Sequence, residues 1–457
     1  HVKRGLRQAG FDVQKQPGHG RKRDMLAGTI DKPEQNPSRL PYYFREPAQT
    51  NTSPNTQPRV AIIGAGLAGA NCAYALSKRG IKSTVYCQEN TLAAGASGNA
   101  QGGFYPQLNA EAGHASQIHG LCFNYANTLY RQILALGFHF NHQWCGTLQL
   151  AFNEKVMSRY SKMVNNKTWP EALVQWVDAK KATQIAKLDL PYPGLFIEQG
   201  GWINLPELVA GLIKAADATM RVNTRLTAME NNNNKWQLTW QDGSQTEADI
   251  VIMATGSESK TCQHMSQLPF RLVRGQVEAI NSQNELANLS TVLCHKGYLT
   301  PAWQGTHALG SSYVKDDNNT EYRLTEQHKN VEMHQKALEK CEWIKDIQPS
   351  TQGRAAIRCS TPDHLPMVGA VPNIDKQTNQ YNDLYKALAA KHYPNPINHN
   401  NLFMLSGLGS RGLTTAPLCA ELLVSQILNE PLPLPNNLLD ALNPNRFLVR
   451  GLIRRQN

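Results

Sequence analysis

The sequence lacks the features that define several large classes of proteins. No run of about 18 apolar residues occurs in its 457 residues, which argues against a membrane span. The basic first residues are not followed by an apolar stretch and a small-residue cleavage site, which argues against a secretory signal. The nine cysteines are odd in number and form no C-x-x-C pair, so free thiols in a reducing cytoplasm are favoured over disulfides or a metal site.

An excess of acidic residues is also absent, because 46 lysines and arginines oppose 35 aspartates and glutamates and leave a net charge of +11. Seven of the basic residues lie within residues 1–30, against Asp12 and Asp24. Clustered cations favour a polyanionic partner. A basic enzyme without such a partner remains an equal alternative at this point.

The length predicts two or three lobes rather than one core. Residues 31–58 are rich in Pro, Asn, Thr and Gln and predict an exposed linker. The main domain then opens with a strand at Val60–Ile63, a glycine-rich turn, a helix from Leu67 and a second strand from Ser83, which is a βαβ pattern. The chain starts at His1 instead of Met, which suggests a fragment or a processed product.

The turn after the first strand carries the motif G-x-G-x-x-G at Gly64, Gly66 and Gly69. In this context the motif predicts a dinucleotide site, in which the first glycine allows the tight turn and the second lets a pyrophosphate approach the backbone. The third glycine lets the helix pack on the strand, and the helix N-terminus attracts phosphate. The position where a ribose-binding acid is expected holds Cys87, and Glu89 either replaces that acid or is a plain surface residue.

Three further small-residue segments extend the predicted site. They are the loop 95–103, the Thr255-Gly256 turn after a buried strand, and the turn 407–412 before a helix from about Thr414. Small residues allow close backbone approach, and a helix N-terminus stabilises negative charge. The predicted cofactor-binding residues are Gly64, Gly66, Gly69, Glu89, Ser97, Asn99, Gln101, Gly102, Thr255, Gly256, Gly407, Leu408, Gly409, Ser410, Arg411 and Gly412.

Several motifs carry a family resemblance. Residues 201–206 (GWINLP), 274–276 (RGQ) and 358–369 resemble the amine-oxidising flavoproteins related to D-amino-acid and glycine oxidases. Residues 95–106 (GASGNAQGGFYP), 297–301 (GYLTP), 358–372 (RCSTPDHLPMVGAVP), 407–417 (GLGSRGLTTAP) and 441–447 (ALNPNRF) resemble the oxidoreductase half of the MnmC family of bifunctional tRNA 5-methylaminomethyl-2-thiouridine biosynthesis proteins. The resemblance covers residues 59 to about 455, and residues 1–30 resemble the tail of that family's methyltransferase half.

The resemblance implies a glycine oxidase-like fold of α/β and α+β class. A Rossmann-type FAD-binding domain is expected at 59–120, 199–270 and 350–457, with an inserted substrate domain at 121–198 and 271–349. That domain is expected to be built on a mixed or antiparallel sheet. Residues 1–30 are expected to be a methyltransferase remnant and 31–58 a linker.

The resemblance also implies an activity. The flavin half is expected to remove the carboxymethyl group from 5-carboxymethylaminomethyl-(2-thio)uridine at the tRNA wobble position, giving the aminomethyl nucleoside and glyoxylate. FAD is the expected cofactor, and S-adenosylmethionine is needed only by the methyltransferase half. The implied partners are tRNA and a methyltransferase domain in cis, and a cytoplasmic monomer without membrane contact is expected.

Arg358 is the residue that the resemblance assigns to the substrate carboxylate, because related oxidases place an arginine eleven residues before the glycine matched by Gly369. A structural ion pair is the alternative for Arg358. By the same resemblance Tyr298 matches a substrate-facing tyrosine, and Tyr313 falls on a neighbouring position that is apolar in glycine oxidase; the alternative for both is a core aromatic. Arg354 and Arg411 are reserve candidates for a carboxylate or a tRNA phosphate, whereas Asp363 and His364 are expected to hold a proline-rich turn. Arg446, Arg450, Arg454 and Arg455 are candidate tRNA contacts.

Two rival functions remain open on the sequence. One is a small-molecule oxidase of glycine or sarcosine with an incidental basic surface. The other is a flavin-stabilised RNA-binding platform without catalysis, which would bind tRNA in a salt-dependent way and show no flavin reduction.

Overall fold

The computed structural model describes residues 2–8, 11–20, 22–29, 40–49, 57–350, 352–389 and 393–455. Among the described residues, no helix combines the length and apolar character needed to cross a bilayer. The α-helices, in chain order, are α1 Val2–Gln8, α2 Leu67–Ser77, α3 His114–Ala135, α4 Glu154–Asn165, α5 Ala179–Ala186, α6 Leu205–Ala215, α7 Leu324–Ala337, α8 Ile374–Gln380, α9 Gly412–Ile427, α10 Asn436–Leu442 and α11 Arg446–Ile453.

The strands, in chain order, are β1 Asp12–Pro17, β2 Asp24–Thr29, β3 Val60–Ile63, β4 Ser83–Tyr86, β5 Gly102–Phe104, β6 His142–Gln143, β7 Thr147–Leu150, β8 Gln175–Val177, β9 Gly194–Ile197, β10 Gly201–Ile203, β11 Thr219–Arg221, β12 Leu226–Asn232, β13 Lys235–Trp240, β14 Gln245–Ala248, β15 Ile250–Met253, β16 Arg271–Asn281, β17 Val292–Cys294, β18 Tyr298–Leu299, β19 Thr306–Gly310, β20 Val314–Lys315, β21 Arg354–Ser360, β22 Met367–Pro372 and β23 Asn398–Ser406.

A six-stranded sheet organises the first half of the site. Its order is β11-β4-β3-β15-β23-β22, and every pair is parallel except β22 with β23. Alternate strand residues point to opposite faces, so Ile62 packs with α2, α3, α6 and α9 while Ile63 packs with the β12-β13-β14 meander. The carboxyl ends of β3 and β15 therefore meet at one edge, where ligands bind in open α/β sheets.

A larger sheet forms the other half of the site. It has nine strands in the order β20-β16-β19-β18-β17-β7-β9-β8, with β21 paired to β16. The β17–β7 pair is parallel and the others are antiparallel, so the sheet is mixed. This arrangement is the predicted combination of a Rossmann-type domain with a substrate domain on a mixed sheet.

Two of the predicted domain boundaries divide parts of the structure that belong together. The boundary at residue 120 lies inside α3, which packs against α9, and the Tyr130 hydroxyl donates to the Leu413 carbonyl at 2.7 Å. The boundary at residue 350 separates β21 from β16, its partner in the substrate sheet. Patterns of strand and helix along the sequence do not reveal such long-range packing.

The predicted linker 31–58 contains a docked segment, so its prediction as exposed throughout is wrong for residues 40–49. Tyr42, Tyr43 and Arg45 in this segment are buried. Arg45 donates to the Val368 carbonyl at 2.7 Å and to the Leu439 carbonyl at 2.8 Å. Aromatic rings and backbone acceptors from distant residues outweigh the polar composition of the segment.

The N-terminal residues include a hairpin in which β1 and β2 pair antiparallel. Lys15 and Asp24 form an exposed ion pair across it at 2.6 Å. This pair neutralises one of the cations of the basic segment, and an exposed pair contributes little to stability.

Asp363 anchors the turn between β21 and β22 to the C-terminal helix. Arg446 donates to its two carboxylate oxygens at 3.0 and 2.8 Å, and Arg450 donates at 2.9 Å. Burial raises the pKa of Asp363, but the two guanidinium groups outweigh burial and lower it to about 2. The Arg446 side chain is 0% exposed, so it is no surface cation for tRNA.

Asp363→Asn is expected to lower the free energy of unfolding at pH 7 by about 3 kcal/mol, because Arg446 is left buried without its counter-ion. The folded pKa lies below the ordinary value of 3.8, so the stabilisation is present above that value and is lost as pH falls towards 2. Urea denaturation at several pH values measures the effect. Asp217→Asn, whose side chain is 92% exposed, is the matched control. An unchanged unfolding free energy in Asp363→Asn would contradict the assignment.

Candidate active site

A cavity of about 1760 Å³ lies at the edge where the two large sheets meet. Cavities for one small ligand usually measure roughly 300–1,000 Å³, so this one has room for a dinucleotide and a substrate together. Gly69 and Gln101 are outside its lining. The predicted residues that line it are Gly64, Gly66, Glu89, Ser97, Asn99, Gly102, Thr255, Gly256, Tyr298, Tyr313, Arg358, Gly407, Leu408, Gly409, Ser410, Arg411 and Gly412.

The glycine turn between β3 and α2 has the geometry of a phosphate cradle. Gly64 has a φ of +114°, and a Cβ on it would lie 2.3 Å from the Ala254 carbonyl oxygen. A Cβ on Gly69 would lie 1.9 Å from the Gly64 carbonyl oxygen, so the helix packs on the turn only without a side chain there. The N-terminus of α2 opens into the cavity. These contacts fit the pyrophosphate of FAD, which the backbone N–H groups and the helix dipole would hold.

Glu89 lies at the cavity edge with an exposed side chain, and Gln88 donates to it at 3.2 Å. Cys87 is buried, its thiol donates to the Thr91 carbonyl at 3.4 Å, and burial raises its pKa. That Glu89 binds the ribose stays a prediction. Its carboxylate follows the carboxyl end of β4, where a ribose-binding acid is expected.

Arg354 holds the glycine-rich loop 95–103 in place. Its guanidinium donates to the carbonyls of Ala94 and Gly95, the second at 2.6 Å, and to Asn99 Oδ1 at 3.4 Å. The Ser97 hydroxyl accepts from the Leu67 N–H at 3.1 Å and ties this loop to α2.

Gln101 was predicted to face the cofactor, but it does not. Its side chain is buried and donates to the Pro301 carbonyl at 2.9 Å. The bond to Pro301 holds the Gln101 side chain outside the cavity lining, whereas the next residue, Gly102, lies in it.

The turn 407–412 closes the cavity from the C-terminal side. Gly407 and Gly409 adopt φ values of +74° and +56°, which favour glycine. The Gly409 N–H donates to the Cys359 carbonyl at 2.7 Å, which joins this turn to β21. Helix α9 begins at Gly412, so its N-terminus points at the cavity and favours negative charge there.

Arg358 lies on β21 and is held by two neighbouring serines. Its guanidinium donates to Ser311 Oγ at 2.6 Å and to the Ser312 carbonyl at 3.3 Å. Among the described residues Arg358 forms no ion pair with a carboxylate, which leaves its charge for a ligand. Burial lowers the pKa of Arg358 from its ordinary value.

The two predicted tyrosines flank Arg358 differently. Burial raises the pKa of Tyr298 to about 12, against the opposing effect of the Arg358 charge, so its hydroxyl is protonated at neutral pH. The Tyr298 hydroxyl lies 3.5 Å from the Gln101 carbonyl. Tyr313 is 54% exposed at the cavity rim. Their substrate contacts stay predictions.

Sequence reasoning missed a pair of histidines beside the site. His295 lines the cavity, and its Nε2 lies 3.2 Å from Nδ1 of the buried His334. Burial lowers the pKa of both rings, that of His334 to about 3, so the pair is uncharged at neutral pH. Its only sequence signal is the position of His295 next to the GYLTP motif.

Tyr105 and Tyr160, both in the cavity wall, were also missed. Arg411 lies over the Tyr105 ring at 4.5 Å from its centroid. Tyr105 belongs to the GASGNAQGGFYP motif, which therefore held a signal, whereas Tyr160 lies in an ordinary amphipathic helix.

The chain matches the family of FAD dependent oxidoreductases over residues 59–426. Residues 1–31 match the family of S-adenosyl-L-methionine-dependent methyltransferases. Among solved structures, glycine oxidase from Geobacillus kaustophilus superposes with a TM-score of 0.68 at 18% identity, covering 85% of this chain and 99% of that one. L-Proline dehydrogenase from P. horikoshii superposes with a TM-score of 0.69 at 16% identity, covering 86% and 98%. At such identities the likeness shows the fold.

Two curated relatives are bifunctional tRNA 5-methylaminomethyl-2-thiouridine biosynthesis proteins. That of Pseudoalteromonas atlantica (strain T6c / ATCC BAA-1087) is 49% identical and is covered over 70% of its length by the whole of this chain. That of Pseudoalteromonas translucida (strain TAC 125) is 36% identical, over 99% of this chain and 67% of the relative. The predicted fold class, FAD cofactor and family are thereby confirmed: the chain is an FAD-dependent oxidoreductase and belongs to the MnmC family of bifunctional tRNA 5-methylaminomethyl-2-thiouridine biosynthesis proteins.

Proposed function

We propose that this enzyme oxidises the carboxymethylaminomethyl group of a wobble uridine in tRNA. The products are 5-aminomethyl-(2-thio)uridine and glyoxylate. The observation that carries the proposal is the Arg358 guanidinium, which faces the cavity without a carboxylate partner among the described residues. A glycine-like substituent offers the carboxylate that this cation lacks, and the names of both curated relatives point to tRNA.

The reaction balances in two steps. The substrate amine loses two electrons and two protons in total and becomes an imine of glyoxylate, and water then cleaves the imine to the free amine and glyoxylate. FAD, when bound, supplies the two-electron acceptor for the first step. No strong protein base is needed if the amine binds in its neutral form.

The side chains of this chain supply orientation. Arg358 would clamp the carboxylate with its planar fork, and Ser311 and Ser312 fix that fork. Tyr298 lines the cavity beside it, and its hydroxyl, whose pKa burial raises to about 12, would stay protonated next to the bound group. Fixed geometry of this kind contributes through orientation rather than acid–base chemistry.

The cofactor contacts follow from the cradle geometry. The turn 64–69 and the N-terminus of α2 would hold the pyrophosphate, and Glu89 a ribose hydroxyl. The turn 407–412 and the N-terminus of α9 would favour the negative charge of a reduced ring. Ser97, Asn99, Gly102, Thr255 and Gly256 lie where the loops 95–103 and 255–256 approach the same cavity.

We also propose that the enzyme acts on its substrate in the cytoplasm. The partners are tRNA and a methyltransferase domain in cis, which would methylate the freed amine with S-adenosylmethionine. The match of residues 1–31 to a methyltransferase family supports that arrangement. The oxidoreductase is proposed to act as a monomer.

Mass analysis of wobble nucleosides tests the function directly. The FAD-loaded protein is incubated without S-adenosylmethionine with tRNA that carries 5-carboxymethylaminomethyluridine. The proposal predicts conversion to 5-aminomethyluridine. An unchanged tRNA, together with rapid oxidation of free sarcosine, would instead identify a small-molecule amine oxidase.

Arg358→Ala is expected to retain FAD and to lose at least about 100-fold in kcat/KM for the modified tRNA, since a desolvated carboxylate is left without its cation. Arg358→Lys, which keeps the charge but not the fork, is expected to fall between this variant and the wild type. Stopped-flow measurement of anaerobic flavin bleaching gives both values. Wild-type turnover in Arg358→Ala would remove this residue from the mechanism.

Gly69→Ala is expected to reduce bound FAD by about tenfold or more, because its methyl group would force the Gly64 turn away from the helix. Gly113→Ala is the matched control, since a Cβ there meets nothing within 4 Å and Gly113 lies outside the cavity lining. The ratio of flavin to protein absorbance after gel filtration reports retention. Equal flavin content in both variants would refute the proposed cradle.

A further inference from the structure

The cavity contains a wall that neither the glycine cradle nor Arg358 explains. Two arginines lie on the rings of two tyrosines there, Arg411 over Tyr105 at 4.5 Å and Arg159 over Tyr160 at 5.2 Å. All four residues line the cavity. We call this surface, together with Gln149 and Lys296, the stacking wall.

The two stacked pairs have a common neighbour in Cys294, which is buried and lines the same cavity. Burial raises the pKa of the Tyr105 and Tyr160 hydroxyls, and the Cys294 thiol contributes to both shifts.

The wall carries positive charge that the protein does not balance. Within the described part of the chain, neither Arg411 nor Arg159 is paired with a carboxylate. Arg411 is also close enough to Arg358 to oppose its charge. Two neighbouring guanidinium groups facing one cavity repel each other, so an apolar wall would cost less free energy than this one.

Exposure increases along the wall. Tyr160 is 8% exposed, whereas Arg159 on α4 and Lys296 between β17 and β18 are exposed at the rim. Gln149 of β7 adds an amide in the cavity lining. A half-buried stacked pair, Tyr105 and Arg411, with exposed cations at the rim follows the order in which a nucleotide presents its base and its phosphate.

We propose that the stacking wall is the subsite for the pyrimidine nucleotide that carries the reacting group. Arg411 donates to the O4 carbonyl of the base, and Arg159 and Lys296 bind the adjoining phosphates. This inference rests on the proposed function and names the residues that distinguish a nucleotide from a free amino acid.

The chemistry of the substrate matches the two cations. In a C5-substituted uracil, O4 is on the carbon next to C5, so the base carbonyl and the terminal carboxylate are two acceptors at opposite ends of one short chain. One substrate would therefore occupy Arg358 and Arg411 together and relieve their repulsion. Aromatic faces and arginine planes also stack on bases, which strengthens the binding of a nucleotide over that of a free amino acid.

Titration of the FAD-loaded protein with uridine 5′-monophosphate and uridine, followed by perturbation of the flavin absorbance, tests the subsite. Wild type is expected to bind the monophosphate more tightly than the nucleoside. Arg159→Ala is expected to weaken the monophosphate by about tenfold and to leave uridine unchanged, because an exposed phosphate contact is lost. Arg411→Lys is expected to weaken both ligands by about tenfold, since the planar fork is lost.

Arg131→Ala is the matched control, because this exposed arginine lies over Trp144 at 4.6 Å and outside the cavity lining. It should bind both ligands as wild type does. Equal affinity of wild type for the two ligands, no binding of either, or wild-type affinities in Arg159→Ala would overturn the proposal. Loss of FAD from Arg411→Lys with unchanged binding to the remaining holoenzyme would assign Arg411 to the cofactor and overturn its role here.

The experiments distinguish failure of the proposed subsite from failure of the proposed function. If modified tRNA is not oxidised by wild type, the proposed function fails, while the uridine monophosphate titration still decides the subsite. If modified tRNA is oxidised but the variants bind as wild type does, the subsite fails and the function stands.

Discussion

The pairing of β21 with β16 is the constraint on which the site depends. The two strands pair antiparallel over seven residue pairs, from Arg271 with Ser360 to Val277 with Arg354. This register joins a strand that leads into the Rossmann-type sheet to the substrate sheet. It places Arg354 and Arg358 on the same side of one strand, since their positions differ by four, an even number. Arg354 holds the glycine-rich loop, and Arg358 faces the cavity. The Cys359 carbonyl, one residue further, accepts from Gly409 in the opposite turn.

A buried polar network behind the strand keeps this register rigid. Arg274 is fully buried and donates to Glu326 at 2.6 Å. The Ser312 hydroxyl donates to the other oxygen of Glu326 at 2.6 Å, and the Ser312 carbonyl accepts from Arg358. A satisfied network of this kind fixes geometry, whereas a partly satisfied one is costly. The RGQ motif at 274–276 therefore acts on the site indirectly. It fixes Ser312, which in turn holds Arg358.

The sequence predicted the features whose causes are local. A strand, a glycine turn and a helix follow each other within residues 60–77, so the cradle could be inferred without tertiary information. The role of Arg358 was predicted from a family resemblance and not from a local pattern. No local pattern distinguishes Arg358 from Arg354, which binds backbone carbonyls. The orientation of Gln101 and the docking of residues 40–49 depend on partners more than 190 residues away in sequence. The stacking wall combines residues from β7, α4, the segment after β5, the turn before α9 and the β17–β18 turn, which only the tertiary fold brings together.

We propose that the cation on β21, Arg358, selects a glycine-like group attached to RNA. Quantifying glyoxylate in a single anaerobic turnover measures that claim most directly. With tRNA bearing 5-carboxymethylaminomethyluridine in excess, the account predicts one glyoxylate for each flavin reduced, with no glyoxylate from tRNA that lacks the carboxymethyl group. Flavin reduction by free sarcosine but not by the modified tRNA, or flavin reduction without glyoxylate, would contradict it.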